Sequence, residues 1–252
     1  MNLVDLSLEG RVAVLELRRP ERHNSLVPEL LHDLVEAHRS AVDRGAAVGV
    51  LAAAGPTFST GGDLGGIREA ADREAYASAL VGMLNETILE IGFGPIPMVA
   101  AVHGMLTGGS LGLVLACDHV VLADEATIRP WYATVGFAPD GGWTALLPEI
   151  IGRRRTASIL LTDGTITAAE ALAWGLAHET VPAVRVRGRA LEAAEQMAAG
   201  KSGTRAAIRG LLAADRAGVA AALEAERAAF VAQVVTEEST AGMDAFLRGE
   251  LR

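Results

Sequence analysis

The sequence predicts an α/β protein in which mostly parallel strands alternate with helices in a layered core. Three short apolar runs, at 48–53, 97–102 and 119–123, lack polar alternation, which is typical of strands buried on both faces of a parallel sheet. Longer stretches with helical spacing of their apolar residues separate these runs. Half of the 252 residues are apolar, enough for one large domain or one domain with a short appendage.

The elements before the first apolar run follow from similar patterns. Two strand-like runs, at 3–8 and 11–17, precede a loop, and Pro28 then begins a helix. The strand at 48–53 leads into a glycine-rich loop, GPTFSTGGDLGG, at 55–66.

The middle of the chain continues the alternation. A helix is predicted over 69–92, and the strand at 97–102 leads into a second glycine-rich segment, LTGGSLGLV, at 106–114. Further along, Thr167 and Glu170 predict a capping box at the start of a helix.

The last quarter of the chain is predicted to be helical, with breaks at Gly200, Gly218 and Gly242. We therefore divide the chain into a core at 1–185, which carries the candidate site, and a C-terminal helical region at 186–252. The apolar faces of these helices, which include Leu211, Leu212, Leu223, Phe230 and Phe246, need a surface to cover.

Composition argues against several classes of function. The formal net charge of −9 argues against a nucleic-acid partner or an anionic membrane surface. No transmembrane helix is predicted, because no apolar run reaches about 18 residues. No secretory signal is predicted either, because the first thirty residues carry charges throughout and lack an apolar h-region. The single cysteine, Cys117, permits no internal disulfide, and a reducing cytoplasm is expected. No His/Cys cluster has metal-ligand spacing, so neither a metal nor a redox cofactor is expected.

The segment GGSLG at 108–112 matches G-x-S-x-G, the spacing around the nucleophile of serine hydrolases. That motif requires the serine on a tight turn directly between a strand and a helix. Here five residues separate the end of the apolar strand near Val102 from Gly108. No later acid and histidine stand in a recognisable loop context. A serine hydrolase that uses Ser110 stays an alternative, and the glycines favour another interpretation.

Two glycine-rich loops, each after a predicted parallel strand, favour an oxyanion hole. A helix that begins within a glycine run presents unpaired N–H groups and the positive end of its dipole. Glycine also lets a ligand approach the backbone closely. Two such loops can direct two N–H donors to one oxygen, the usual device for stabilising an enolate or a tetrahedral oxyanion.

The same segments resemble the crotonase superfamily, the enoyl-CoA hydratase/isomerase family, over nearly the whole chain. The matching motifs, in the family's order, are RPERHNSL at 19–26, F-x-x-G-x-D-L at 58–64, HGMLTGGSLGLVLACD at 103–118, GFAPDGGWTALLPEIIG at 136–152 and ITAAEALAWGL at 166–176. The resemblance implies a crotonase-like spiral of β-β-α units with a C-terminal helical trimerisation region. It also implies an acyl-CoA thioester as substrate, no cofactor beyond the coenzyme A of that substrate, and a homotrimer or a hexamer of two trimers.

The resemblance also assigns the oxyanion donors. In the family two backbone N–H groups hold the thioester oxygen, and the matching positions here are Gly62 and Gly109. Ser110 is then a bystander next to the second donor. Asp63 is expected to cap the following helix or to hold the loop in shape rather than to carry protons.

Two glutamates of the family's hydratases are missing, since Gly112 and Tyr132 occupy their positions. Hydration needs a base for water and an acid for the α-carbon, so two-carboxylate hydration is not expected. Asp140 stands in a P-D-G-G segment where isomerases of the family place a proton-transferring aspartate. It is also positioned to be a helix N-cap, and both roles stay open.

The prediction that results is an isomerase-type enzyme that moves a proton through an enolate. A hydratase or another enolate chemistry is the alternative within the family. A protein that binds CoA or an acyl carrier without turnover is the non-enzymatic alternative, because two usual catalytic residues are missing.

The predicted substrate-binding residues surround these loops: they are Arg22, His23, Ser25, Leu26, Thr60, Asp63, Leu64, Tyr132, Phe137 and Trp143. Arg22 and His23 match the family's basic residues near CoA phosphates, and a solvated loop explains them equally well. Phe137 and Trp143, with Trp131, form a local cluster in a chain poor in aromatics, which favours an acyl pocket. Arg129 could pair with a carboxylate on the acyl chain or lie at the surface.

Overall fold

The computed structural model describes residues 2–212 and 215–251. Within these residues nine strands form two sheets. The strands are β1 (Val4–Glu9), β2 (Val12–Leu17), β3 (Val48–Ala53), β4 (Met98–Val102), β5 (Met105–Thr107), β6 (His119–Ala123), β7 (Thr127–Arg129), β8 (Ile166–Thr167) and β9 (Glu179–Val181).

Helices surround the sheets, and a short 3-10 turn at Gly108–Ser110 precedes the fourth of them. The α-helices are α1 (Pro28–Asp43), α2 (Leu64–Glu69), α3 (Arg73–Phe93), α4 (Leu111–Leu115), α5 (Tyr132–Val135), α6 (Leu147–Ile151), α7 (Arg153–Thr162), α8 (Ala168–Ala173), α9 (Ala183–Ala199), α10 (Ser202–Leu212), α11 (Arg216–Val234) and α12 (Glu237–Leu247).

The larger sheet has the strand order β1-β2-β3-β4-β6-β9. Only the β1–β2 pair is antiparallel, and the four other pairs are parallel. Every residue of β3 is buried, as expected for a central parallel strand covered by helices. The predicted α/β class with parallel strands therefore matches the observed architecture.

The two glycine-rich loops lie at the carboxyl ends of the neighbouring parallel strands β3 and β4. They are joined by a parallel bridge between Ser59 and Leu106, and a second bridge joins Leu26 to Gly62. The smaller sheet, β5-β7-β8, begins with β5, which lies between β4 and the glycine turn at Gly108–Ser110. Its two- and three-residue strands were not predicted, because so few residues carry no readable periodicity.

The C-terminal helices match the predicted breaks only in part. Gly200 is the C-cap of α9, as predicted, whereas Gly218 and Gly242 lie inside α11 and α12. A Cβ at Gly242 would overlap the backbone of Val135, so this glycine allows α12 to lie close against α5. The division predicted between residues 185 and 186 falls inside α9, which packs on β3, β4 and β6 as part of the core.

Part of the apolar surface that was expected to need a partner is covered within the chain. Helix α11 packs on α3, and α12 packs on α2 and α5, so Leu223 and Phe230 are buried. Helix α10 differs, since Ile208, Leu211 and Leu212 are exposed. No helix in the described part of the chain combines the length and apolarity that a membrane crossing requires.

Candidate active site

A cavity of about 160 Å³ opens where the two glycine loops meet α3, α5 and the C-terminal helices. Its lining is mostly apolar, with a few polar groups gathered at the glycine loops and at Asp140. The lining residues are Leu26, Thr60, Gly61, Gly62, Leu64, Ile67, Leu80, Leu84, Met105, Thr107, Gly108, Gly109, Pro130, Trp131, Tyr132, Val135, Phe137, Asp140, Phe230 and Phe246. An apolar cavity with a few convergent polar groups is typical of a small-molecule site.

Both residues predicted as oxyanion donors, Gly62 and Gly109, are among those that line this cavity. The bridge between Leu26 and the first loop uses the Gly61 carbonyl, at 2.7 Å, and the Asp63 N–H, at 2.9 Å. The N–H of Gly62 therefore lies outside that pairing. Gly109 lies in the first turn of the helical segment that begins at Gly108, where N–H groups have no intrahelical partner.

The two loops touch directly. A Cβ at Gly61 would lie 2.8 Å from the carbonyl oxygen of Thr107, so only glycine permits this approach. Gly61 and Gly108 also adopt φ values of 77° and 56°, in the left-handed region that favours glycine. The buried indole of Trp143 donates to the Gly108 carbonyl at 2.8 Å and fixes the second loop from behind.

Ser110 is fully buried and is not among the residues that line the cavity. Its hydroxyl donates to the Thr107 carbonyl at 2.7 Å and is 3.4 Å from the Ser59 carbonyl. These bonds tie the hydroxyl to the backbone of both loops. A serine nucleophile needs a basic partner that accepts its proton, and these contacts supply none.

Asp63 forms an ion-pair network beside the first loop. Its carboxylate lies 2.7 Å from the Arg19 guanidinium and 3.1 Å from that of Arg22, and it accepts from the Gly66 N–H at the start of α2. Burial opposes the charged form, but the hydrogen bonds from Arg19 and Gly66 outweigh it and lower the pKa of Asp63. The residue therefore caps α2 and holds the loop.

Asp140 has the opposite surroundings. It is buried at the cavity wall, and its carboxylate Oδ1 accepts a hydrogen bond of 2.6 Å from the Tyr132 hydroxyl. A Cβ at Gly109 would lie 2.8 and 2.9 Å from the two carboxylate oxygens, so Asp140 packs directly against Gly109, one of the two predicted oxyanion donors. Helix α6 begins at Leu147 with Leu146 as its N-cap, so Asp140 does not cap that helix.

The environment of Asp140 favours its neutral form. Burial raises the pKa of Asp140 to about 7, and the charge of Glu226 adds to the increase while the Tyr132 hydrogen bond opposes it. Burial also raises the pKa of the Tyr132 phenol well above its usual value. A carboxyl group with a pKa near neutrality can both accept and return a proton, which suits general acid–base catalysis.

Glu226, on α11, was not predicted as a site residue. Its buried carboxylate accepts hydrogen bonds from the backbone N–H groups of Gly142, Thr144 and Ala145, at 2.6 to 2.9 Å, and from the Thr144 hydroxyl at 2.6 Å. These bonds fix the loop that carries Asp140. The only sequence signal was an acid within the apolar stripe of α11.

The position of the first missing glutamate has no room for a side chain. A Cβ at Gly112 would overlap the Gly141 carbonyl oxygen and lie 2.5 Å from the Ile88 side chain. The loop that follows Asp140 therefore fills the space next to α4. The second position is Tyr132, whose phenol is committed to Asp140.

The structure brings only part of the predicted binding set to the cavity. Besides Gly62, Gly109, Asp140 and Tyr132, the predicted residues that line it are Leu26, Thr60, Leu64 and Phe137. Arg22 pairs with Asp63, and the buried Ser25 hydroxyl accepts from Arg19 at 2.6 Å. His23 is exposed in a left-handed turn. Trp143 lies behind the lining, edge-on to Tyr132 at 6.2 Å between ring centroids.

Two further lining residues come from the C-terminal helices. Phe230, on α11, packs on Phe137 with 5.1 Å between ring centroids, and Phe246, on α12, meets Trp131 edge-on at 5.7 Å. Sequence reasoning had assigned both to a surface that needs a partner. Among the described residues no group of three or more His, Cys, Asp and Glu side chains is arranged to hold a metal ion.

Comparisons with known proteins agree with this architecture. The family model described as enoyl-CoA hydratase/isomerase matches residues 7–250. The chain is 33% identical over 198 residues to 4-chlorobenzoyl coenzyme A dehalogenase-2 of Arthrobacter sp., covering 75% of this chain and 69% of that protein. It is 30% identical over 255 residues to 2,3-dehydroadipyl-CoA hydratase of Escherichia coli K12, covering 98% and 96%. The crystal structure of enoyl-CoA hydratase from Bacillus halodurans superposes with a TM-score of 0.89 at 26% identity, covering 96% of this chain and 99% of that chain.

Proposed function

Because the chain belongs to the enoyl-CoA hydratase/isomerase family of the crotonase superfamily, we propose that it is an isomerase-type enzyme that moves a proton on an acyl-CoA thioester through an enolate. The family and its fold establish an enzyme that acts on CoA thioesters. The preference for isomerisation over hydration is the step that we add.

One observation carries the proposal. Asp140 is buried at the wall of the cavity, directly against Gly109 and hydrogen-bonded to Tyr132. With the thioester oxygen held by the N–H groups of Gly62 and Gly109, the carbon next to that carbonyl would lie within reach of the Asp140 carboxylate. The pKa of Asp140, raised to about 7 by burial, suits a group that takes up a proton and returns it.

The reaction then needs one carboxylate. Starting from a 3-enoyl-CoA, ionised Asp140 takes a proton from the α-carbon, and the electron pair of that C–H bond delocalises onto the thioester oxygen as a dienolate. The two glycine N–H groups stabilise the negative oxygen. Protonated Asp140 then gives the proton to the γ-carbon, which yields a 2-enoyl-CoA and restores the carboxylate. No atom is gained or lost.

Hydration and hydrolysis fit the same site less well. Hydration of a 2-enoyl-CoA needs a base for water and an acid for the α-carbon, and Gly112 leaves no space for a second carboxylate. Hydrolysis through Ser110 needs a hydroxyl that faces the substrate, whereas this hydroxyl bonds to the backbone of Thr107.

The test is proton exchange. Wild type and Asp140→Asn are incubated in D₂O with saturating 3-hexenoyl-CoA, and deuterium at the α- and γ-carbons and double-bond migration are followed by NMR. We expect exchange and migration in wild type and a loss on the order of 10²–10⁴-fold in Asp140→Asn. Calorimetric titration with hexanoyl-CoA should give similar affinities for both proteins, because asparagine keeps the shape of the carboxyl group.

Three results would argue against the proposal. If wild type hydrates 2-hexenoyl-CoA rapidly and shows no exchange on the 3-enoyl isomer, the enzyme is a hydratase. If Asp140→Asn exchanges as fast as wild type, another group moves the proton. If wild type binds CoA thioesters and turns over neither isomer, the protein catalyses another enolate chemistry or binds without turnover, and the isomerase proposal is wrong.

We also propose self-association, as a homotrimer or a hexamer of two trimers, because α10 leaves Ile208, Leu211 and Leu212 exposed on one short helix. An exposed apolar surface of this kind is typical of an interface between subunits. Sedimentation equilibrium at micromolar concentration should give about three or six times the mass of the chain. A stable monomer would exclude this proposal.

A further inference from the structure

We propose that the acyl group held by this cavity is an uncharged ring, such as a phenyl or cyclohexenyl group close to the thioester, in preference to a straight chain or a chain that ends in a carboxylate. The inference rests on the proposed acyl-CoA function of the same cavity and specifies its substrate class. Three independent observations support the inference: the volume of the cavity, the aromatic residues in its lining, and the absence of basic residues among the described residues of that lining.

The size of the cavity suits one six-membered ring. Its volume of about 160 Å³ is close to that of an engineered apolar cavity of about 150 Å³ that binds benzene. An extended chain of eight carbons is longer than such a compact space. A ring attached near the thioester carbonyl is more compact than a chain with the same number of carbons, so it fits inside the cavity.

The lining is rich in rings although the chain is poor in them. The sequence has three Trp, two Tyr and five Phe, and five of these ten side chains line the cavity. They are Trp131, Tyr132, Phe137, Phe230 and Phe246. They come from α5, from the segments that flank it, and from helices α11 and α12. The fold therefore places side by side residues that are up to 115 positions apart in the chain.

The arrangement of these rings favours a further ring. Trp131 and Phe246 stand nearly perpendicular, at 83°, with 5.7 Å between centroids, and Phe137 and Phe230 are tilted by 56° at 5.1 Å. Both pairs stand at the cavity wall, so a bound ring would meet aromatic groups in more than one orientation. A bound ring can make the edge-to-face contacts that aromatic groups prefer, whereas a methylene chain makes only dispersion contacts.

The charge of the lining disfavours an acyl carboxylate. Among the described residues that line the cavity there is no Lys, Arg or His, and Asp140 is its one carboxylate. The guanidinium of Arg129, considered above as a carboxylate partner, lies 3.7 Å from the centroid of the Trp131 ring and is not part of the lining. A terminal carboxylate would lose its water in this lining without gaining a cation as partner.

The test is calorimetric titration of the intact protein with two matched pairs of CoA thioesters. Phenylacetyl-CoA and octanoyl-CoA have the same number of acyl carbons, and so do hexanoyl-CoA and adipoyl-CoA. We expect phenylacetyl-CoA to bind about tenfold more tightly than octanoyl-CoA. We expect adipoyl-CoA to bind at least about 100-fold more weakly than hexanoyl-CoA, because its second carboxylate has no partner.

A variant identifies the rings as the cause. Phe246 is 37% exposed, so Phe246→Leu should fold normally while removing one ring and keeping an apolar side chain. Its affinity for phenylacetyl-CoA should fall about fivefold, with octanoyl-CoA affinity nearly unchanged. Leu247→Ala, at the exposed neighbouring position outside the cavity, serves as the control and should change neither affinity.

The outcomes separate this inference from the proposed function. Octanoyl-CoA binding as tightly as phenylacetyl-CoA, adipoyl-CoA matching hexanoyl-CoA, or Phe246→Leu weakening both ligands equally would each overturn the ring assignment, even if Asp140 moves protons. A ring preference together with absent exchange on a saturating 3-enoyl-CoA would instead overturn the proposed chemistry alone. Failure of all four thioesters to bind would overturn both.

Discussion

Asp63 and Asp140 are two aspartates that expose little surface to solvent and have opposite pKa shifts. Their exposed fractions are 5% and 7%, and both lie beside a glycine loop that borders the cavity. Burial disfavours the ionised form of each. The pKa of Asp63 is nevertheless lowered, whereas the pKa of Asp140 is raised to about 7.

The difference comes from how deeply protein encloses each carboxylate and from the neighbours of each one. Asp63 faces the guanidinium groups of Arg19 and Arg22, and these cations more than compensate for lost water. Asp140 is the more deeply buried of the two, and this burial is the largest cause of its raised pKa. The charge of Glu226 adds to the increase, and the hydrogen bond from the neutral Tyr132 phenol opposes it without offsetting it. Burial of a carboxylate therefore does not identify a proton carrier by itself. The neighbouring charges distinguish the two cases. Asp63 stays an anion that holds a loop, whereas Asp140 titrates near neutrality.

The largest expected effect is on turnover. Asp140→Asn should lose about 10²–10⁴-fold in proton exchange, because it removes the only proposed proton carrier. Asp63→Asn keeps an oxygen for the N–H of Gly66 and should lose less than about tenfold at saturating substrate. The measurement is the NMR exchange rate of both variants side by side. Comparable losses in the two variants would mean that Asp63 takes part in the chemistry and that the contrast between them is not functional.

The second effect is on stability and has opposite signs for the two residues. The folded-state pKa of Asp140 is raised, so its contribution to the free energy of unfolding is fully present below the unfolded value near 3.8 and is lost as the pH rises through about 7. Asn does not titrate. Asp140→Asn should therefore gain stability relative to wild type between pH 4 and 7, by up to about 1.4 kcal/mol per pH unit.

Asp63 should behave in the opposite way. Its folded-state pKa is lowered, so its stabilising contribution is present above the unfolded value near 3.8 and is lost as the pH falls through the folded value. Asp63→Asn should be less stable than wild type at pH 7, and the difference should shrink at more acidic pH. Urea unfolding of the three proteins across this range measures both trends. Parallel curves for either variant would contradict the assigned shift.

The third effect concerns Glu226, which acts on the reaction through Asp140. Glu226→Gln removes a negative charge and should lower the pKa of Asp140. The acid limb of the pH–rate profile, where the exchange rate rises as Asp140 ionises, should therefore move to lower pH by about one unit. The amide also cannot accept from all the N–H groups of the loop, so the rate at saturation should fall by about tenfold.

Two control variants distinguish the effect of the Glu226 charge from the effect of its hydrogen bonds to the loop. Thr144→Val removes the hydroxyl bond to Glu226 and leaves the charge, so the limb should stay in place. Glu226→Asp keeps the charge on a shorter side chain and should leave the limb near its wild-type position. A lower rate in Glu226→Gln with no displacement of the limb would restrict Glu226 to holding the loop.

The comparison also explains which features the sequence could predict. The two glycine loops and the P-D-G-G segment are short local patterns, so their positions and the family could be recognised before the fold was known. The cap role considered for Asp140 was wrong, because the turn after Gly142 delays the start of α6 until Leu147. Local patterns could not distinguish a cap from a residue that lines a cavity.

Contacts between residues that are far apart in the sequence could not be predicted from local patterns. The hydrogen bond from Gly142 to Glu226 joins residues 84 positions apart. Phe230 and Phe246 carry helical periodicity, which predicts an apolar face but not the surface that it covers. Trp143 was expected in the pocket as a large aromatic, and its indole N–H is instead used by the Gly108 carbonyl. Whether a side chain lines the cavity or lies behind the lining depends on the packing of the whole fold, which local patterns do not show.

The smallest expected effect belongs to Ser110, a third buried polar group at the loops, with neither the ion pairs of Asp63 nor the cavity exposure of Asp140. Its hydroxyl donates to the Thr107 carbonyl, so Ser110→Ala removes one backbone contact and should cost about 1 kcal/mol in the free energy of unfolding. Exchange at saturating substrate should fall by less than about tenfold, since no step requires this hydroxyl. Unfolding in urea and the NMR exchange rate measure the two quantities, and a serine-reactive phosphonate should leave the wild-type protein unlabelled. A rate loss on the order of 10³-fold, or a covalent adduct on Ser110, would instead assign the serine a nucleophilic role.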